Sequence, residues 1–315
     1  MIRSRGSIAL LLAVFAVLAI AAPASAITNG QPDNEEHPYV GQLFFYDPTY
    51  PDPRFSDPGG WFNCTGTLIS PTIVLTAGHC TYATGSNGAA PGGDGSGGND
   101  VWVSFAEVPD YTGIAAAPFV ATDDNAGRYA HYRNTLNAST EWIRGTSYQH
   151  PQYNDAAFYL YDVGVVYLSE PVNLPTYGVL PTLNYLDQFT GKTKAQTLFE
   201  AVGYGLEGAG PQPYMDIGGD TRMKSQQVIV NAKGVYGIHD KVAIVFSNNN
   251  GQAHKGGTCS GDSGGSFFLN NTNQIVAVNS FGVPPNCTGN DGAYRIDQPD
   301  DVAWLQSVLA GEPRP

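Results

Sequence analysis

An all-β fold is what this 315-residue sequence predicts. Three observations carry the expectation. The chain holds 38 Gly and 22 Pro, a composition that favours many turns and short strands over long helices. Short runs rich in Val, Ile, Thr, Phe and Tyr recur between clusters of Gly, Pro, Asn and Asp. One segment, 300–309, stands out as a helix: Val302, Leu305, Val308 and Leu309 share a face at helical spacing, with Pro299 just ahead. Disorder is excluded as the main state by the 42% hydrophobic content. The length allows one or two domains with room for a real core.

Taken in order, residues 1–26 read as a signal peptide. Arg3 and Arg5 are basic, 8–22 is an apolar run, and Ala24-Ser25-Ala26 is a small-residue cleavage site. The run falls short of the roughly 20 residues of a membrane helix. A secreted protein beginning at Ile27 is expected, without membrane contact after cleavage. Strands are expected at 39–46, 67–70, 73–77, 101–105, 163–168, 197–203, 227–230, 242–246, 266–269 and 274–280. Segments 83–100 and 206–220 are Gly-rich loops. The first lacks the spaced carboxylates of an EF-hand calcium loop, and no internal repeat interrupts the pattern.

Charge and cysteine usage narrow the function. A net charge of −13 repels phosphate backbones, which disfavours nucleic-acid partners. Cys64, Cys80, Cys259 and Cys287 suggest two disulfides in an exported chain. Three pairings are possible. Cys64–Cys80 and Cys259–Cys287 are favoured because each closes a short loop. Zinc is the rival reading, but no C-x-x-C or H-x-x-x-H pair lies nearby, so no metal or cofactor is expected.

Gly261-Asp262-Ser263-Gly264-Gly265 matches G-x-S-x-G. A strand-to-helix nucleophile elbow would need a histidine after the serine. All six histidines, at 37, 79, 131, 150, 239 and 254, precede Ser263. The order His…Asp…Ser remains open. His79 ends a strand beside Cys80, whose disulfide would hold the imidazole's backbone in place. A general base needs such rigidity. Asp162 opens the apolar run Val163-Gly164-Val165-Val166, and an acid at the mouth of a buried strand demands a partner. Asp155, its nearest competitor, reads as a loop residue.

Together these residues resemble the chymotrypsin/trypsin family of serine endopeptidases. Thr76-Ala77-Gly78-His79-Cys80 is similar to its histidine motif, His150-Pro151-Gln152-Tyr153-Asn154 with Asp162-Val163-Gly164 to its aspartate region, and Gly261 to Gly265 to its serine motif. Ile27-Thr28-Asn29-Gly30 resembles the mature N-terminus, and Cys64 to Ile69 the segment carrying the partner of Cys80. The resemblance runs from Ile27 to about Leu309. It implies two antiparallel six-stranded Greek-key barrels with the site between them and a C-terminal helix. Domains are then expected at 27–175 and 176–296, with the helix and tail at 297–315.

The resemblance also implies roles. Ser263 is the nucleophile, His79 the base, Asp162 its orienting carboxylate, and the backbone N–H groups of Gly261 and Ser263 the oxyanion hole. Gly257 falls at the base of the specificity pocket, with Thr258 lining its side, Ser280-Phe281-Gly282 on one wall and Gly292 on the other. Two glycines would leave the slot open and no carboxylate sits at its base, so large apolar or aromatic side chains are expected there. Asp291 would bring back cationic substrates if turned inward. Glutamate or small residues are the alternative preferences, with Thr258 present but Asn279 in place of a histidine. Ile27 would pair its new ammonium with Asp262. The expected protein is a monomer acting on proteins or peptides; a non-catalytic binding scaffold is the rival of another class. The 83 positions from His79 to Asp162 exceed the family's usual spacing, with the excess in 83–100 and 106–148.

Overall fold

The computed structural model describes residues 27–311 except 54, 83, 85–97, 115–123, 207, 210–215, 218–219, 234–237, 239, 249–255, 283–286 and 288. The expected signal peptide and most of the 83–100 loop therefore lie outside the described residues. Two β units are built in succession. The first comprises β1 (Val40–Asp47), β2 (Gly60–Ser70), β3 (Ile73–Thr76), β4 (Val101–Ser104), β5 (Ile143–Gln149) and β6 (Gly164–Leu168). They close as an antiparallel barrel in the order β1-β2-β3-β6-β5-β4.

The second unit comprises β7 (Phe199–Gly203), β8 (Met223–Gln227), β9 (Ile229–Asn231), β10 (Ala243–Asn248), β11 (Ser266–Leu269), β12 (Ile275–Gly282) and β13 (Gly289–Tyr294). Their order is β8-β7-β11-β12-β13-β10-β9. Only Val228 separates β8 from β9, and Ser247 N donates to Val228 O at 2.9 Å. β8 and β9, on opposite flanks of this sheet, are thus one bent strand, and the unit curls back on itself. Treating that strand as one gives the six strands expected.

Burial follows from side-chain alternation. Leu43, Leu68, Val74, Leu75, Val165 and Val166 fill the first barrel and continue into Val202, Tyr204 and Phe268 of the second. Phe199, Ile244, Phe246, Phe267 and Val276 form the second core. A short helix, α2 (Gly191–Gln196), precedes β7, and the closing helix α3 (Pro299–Ala310) adds Leu305 and Val308 to the first core. At the other end, Gln31–Pro32 pairs with β8. The first described residues therefore pack onto the unit distant from them in sequence.

Segment 106–148 differs from the loop expected there. It contains α1 (Asn125–Ala138) and β5. Tyr132 and Leu136 of α1 pack with Trp102 and Trp142 as a third, aromatic core outside the barrel. Asp124 caps the helix through Gly127 N at 2.6 Å, and Asp57 accepts from Asn125 N and Ala126 N at 2.8 and 2.9 Å. No described helix is long and apolar enough to cross a membrane.

Candidate active site

Strand pairing brings the first two candidates together. Thr76 at the end of β3 faces Gly164 at the start of β6. His79, three residues beyond Thr76, therefore meets Asp162, two residues before Gly164. A short 3-10 turn, Gly78–Cys80, carries the histidine. Cys80 is bonded to Cys64 in β2, and Cys259 to Cys287, so both local pairings are present. With its sulfurs paired, the Cys64–His79–Cys80 cluster offers no thiolate to a metal.

Asp162 is fully buried and its oxygens are engaged. His79 N donates to Oδ1 at 2.9 Å, His79 Nδ1 lies 3.1 and 3.0 Å from the two oxygens, and Ser280 Oγ donates to Oδ2 at 2.5 Å. These bonds offset the desolvation of the carboxylate. The imidazole keeps 25% of its side chain exposed. Burial works against its charge, but the charge and hydrogen bond of Asp162, with a further push from Asp155, raise its pKa above the ordinary histidine value. Asp155 itself sits exposed in a 3-10 turn, as its loop assignment anticipated.

Ser263 sits in a tight turn that glycine makes possible. Gly261 and Gly264 have φ of 98° and 80°, a region that side-chain-bearing residues avoid. Thr65 N donates to Ser263 O at 2.8 Å and Thr65 Oγ1 to Gly261 O at 2.9 Å. The serine turn is thereby bolted to β2 of the other barrel. Ser263 and His79 line one cleft of about 500 Å³.

Asp262 points away from that cleft into the interior. Its oxygens accept from Gly205 N at 2.8 Å and Cys259 N at 2.9 Å. Burial raises its pKa to about 7; the two backbone bonds oppose this and Asp291 reinforces it. Among the described residues no cation pairs with it. Ile27 is fully buried, and Thr28 exchanges backbone bonds with Gly257 at 2.9 and 3.1 Å.

Two contacts bear on the expected specificity pocket. Phe281 lies opposite Gly292 in register, and its ring covers the place where a Cβ on Gly292 would stand. Cross-strand partners share a face, so the ring folds into the space glycine leaves, and this wall is filled rather than open. A carboxylate does approach the base: Asp291 is buried and its Oδ2 accepts from Thr258 N at 2.8 Å and Gln227 Nε2 at 2.6 Å. Thr258 Oγ1 donates to Asn279 Oδ1 at 3.0 Å. Sequence reasoning also missed the bond from Ser280 to Asp162 and the tie from Thr65. Both depend on contacts between barrels, which no local pattern signals.

A family model described as Trypsin matches residues 123–300. Over 281 residues the chain is 25% identical to Serine protease 1 and Serine protease 2 of Drosophila melanogaster, covering 89% of this chain and 84% of each relative. Solved structures similar to it include HL collagenase, at 18% identity and TM-score 0.58, covering 90% of this chain and 99% of that one. Another is the scabies mite inactivated protease paralogue S-D1, at 15% identity and TM-score 0.57, covering 92% and 100%. Those two likenesses carry the fold. The family match spans more than half of the sequence, and on that ground the chain belongs to the trypsin family of serine proteases.

Proposed function

We propose that the protein is a secreted serine endopeptidase in which Ser263, His79 and Asp162 form the catalytic triad. The observation that carries this reading is the hydrogen bond of His79 Nδ1 to the buried Asp162, with His79 sharing a cleft with Ser263. Ser263 Oγ attacks the peptide carbonyl while His79 accepts its proton and later delivers it to the leaving amine. Asp162 holds Nδ1 protonated and stabilises the imidazolium. The N–H groups of Gly261 and Ser263 receive the oxyanion, each worth about 2.7–4 kcal/mol in the transition state.

The acyl-side pocket takes an uncharged, apolar side chain in this reading. Asp291 is already engaged by Gln227 and Thr258, which speaks against its serving as counter-ion to a substrate cation. The Thr258 hydroxyl is spent on Asn279, which speaks against glutamate. The ring over Gly292 favours smaller apolar residues over the large aromatics expected from sequence.

Activation follows from cleavage ahead of Ile27, which the sequence assigns to signal peptidase. Ile27 is held at φ 65°, costly for a β-branched residue while residue 26 is attached. A free N-terminus has no such torsion, and its ammonium would meet the buried Asp262. Labelling with a phosphonofluoridate, followed by peptide mapping and cleavage-site profiling, tests the proposal. Label on Ser263 with cleavage after apolar residues is expected; an unlabelled protein would favour a binding scaffold.

A further inference from the structure

We propose that the cleft beside Ser263 and His79 is a leaving-side subsite, selecting a large apolar side chain immediately after the scissile bond. The wall that selects it is formed by Phe45, Phe62 and Tyr50. The inference rests on the serine endopeptidase reading and extends it to the part of the substrate released first.

Direction comes from the lining residues. Ser263 and His79 line the cleft together with Cys64, Tyr82, Phe45, Tyr50 and Phe62. Among the described residues, none of those assigned to the acyl-side pocket (Gly257, Thr258, Ser280, Phe281, Gly282, Gly292) lines this cleft. The cleft is therefore separate from that pocket while still bordered by the nucleophile, as a leaving-side subsite must be. The chain that lies there is the one carrying the leaving amine.

Chemistry comes from the rings. Tyr50 meets Phe62 edge-on at 4.8 Å, and Phe62 lies 5.9 Å from Phe45. Tyr50 remains 39% exposed, so an aromatic surface faces the cleft's mouth. Two carboxylates also line the space, and one of them is already engaged. Asp47 Oδ1 accepts from Thr49 N and Thr49 Oγ1, both at 2.7 Å, and Asp155 stands near the imidazole it biases. The accessible wall is mostly apolar.

The wall is also fixed in advance. Gly59 N and Asp52 N donate to Tyr50 O at 2.8 and 3.0 Å, closing the loop on itself. Asp57, in the same loop, accepts two N–H bonds from the start of α1, and Asn125 Nδ2 donates to Asp57 O at 2.8 Å. The segment that lengthens the spacing from His79 to Asp162 thus braces this subsite. A prearranged apolar surface spends little of its binding energy on ordering.

Acyl transfer isolates the subsite. An N-acylated amino acid methyl ester acylates Ser263: the Oγ–C bond forms, the ester C–O bond breaks, and methanol leaves with the proton His79 took from Ser263. Water or the amine of an added amino acid amide then attacks. With the amide, an N–C bond forms as the Oγ–C bond breaks, and the amine's proton returns through His79 to Ser263 Oγ. Mass spectrometry of the products gives the share captured by each nucleophile. Phe-amide and Leu-amide should capture the acyl group about tenfold better than Gly-amide. Tyr50→Ala should lower that ratio at least about threefold, and Tyr50→Phe should restore it, because the ring and not the hydroxyl makes the contact. Equal capture of Phe-, Leu- and Gly-amide during brisk ester hydrolysis would overturn this inference alone. Capture of Arg-amide above both apolar amides would likewise overturn it, assigning the cleft to Asp47 and Asp155. An inert ester would overturn the proposed function and this inference with it.

Discussion

His79 is held through its backbone as well as its ring, because Asp162 Oδ1 receives both His79 N and Nδ1. A carboxylate that fixes position, tautomer and charge at once is hard to replace. Asp162→Asn should cut kcat by about 10⁴ through the wrong tautomer, with near-native circular dichroism; kcat within tenfold of the parent would contradict its role. Asp155 acts at a distance by helping to raise the His79 pKa. In the proposed mechanism His79 works as a base only when neutral, so activity should rise with pH through that pKa. Asp155→Asn should move the acid limb of the kcat/KM profile to lower pH, and a limb that stays put or moves up would refute the coupling. The residues of this site were legible in sequence where the chemistry is local: Gly261 to Gly265 must turn tightly, and Cys80 must sit beside His79. Asp291 was only half legible. Its proximity to Gly292 was plain, but its direction depends on Gln227, 64 residues away.

Elements tell a similar story. Strands built from continuous β-branched or aromatic runs, such as β6 and β11, read directly from sequence, as did α3. β5 and β13 did not, because Ile143–Gln149 and Gly289–Tyr294 are rich in small and polar residues and form strands only because neighbours supply the hydrogen bonds. α1 escaped because few of its residues are buried: Asn125, Tyr132 and Leu136. The start of α3 carries a testable charge. Burial, reinforced by Asp300 and Asp297 against a hydrogen bond from Tyr294, raises the pKa of Asp301 to about 8. An unfolded aspartate titrates near 3.9. The folded chain therefore binds the proton more tightly, and the stability this group contributes is full below about pH 4. It falls as pH climbs and is lost through the folded pKa. Asp301→Asn should flatten the decline of Tm between pH 5 and 9; an unchanged slope would place the carboxyl's titration elsewhere.

At the scale of the whole molecule, the chain's first described residues and its active site belong to one assembly. A protein beginning at Ile27 should be active, and one retaining an extra N-terminal Met should be markedly less so, because the displaced ammonium leaves Asp262 buried without a cation. The sign is set by the amine. A carboxylate partner raises its pKa above the ordinary 7.7–8.0, so its contribution holds below that range and fades as pH rises through the folded value. Equal specific activity of the two proteins, each verified by intact mass, would defeat the mechanism. The barrels are further joined by Arg222, fully buried, which donates to Asp33 Oδ2, Val40 O, Phe105 O and the Tyr204 hydroxyl. The bond from Ser280 to Asp162 crosses the same seam, and so does Thr65 where it grips the serine turn. A molecule whose halves begin to part thus loses its blade before its chain is exposed. Under mild denaturation the unfolding fraction would be prey and the intact fraction predator, so inactivation should quicken with protein concentration instead of running as a first-order decay.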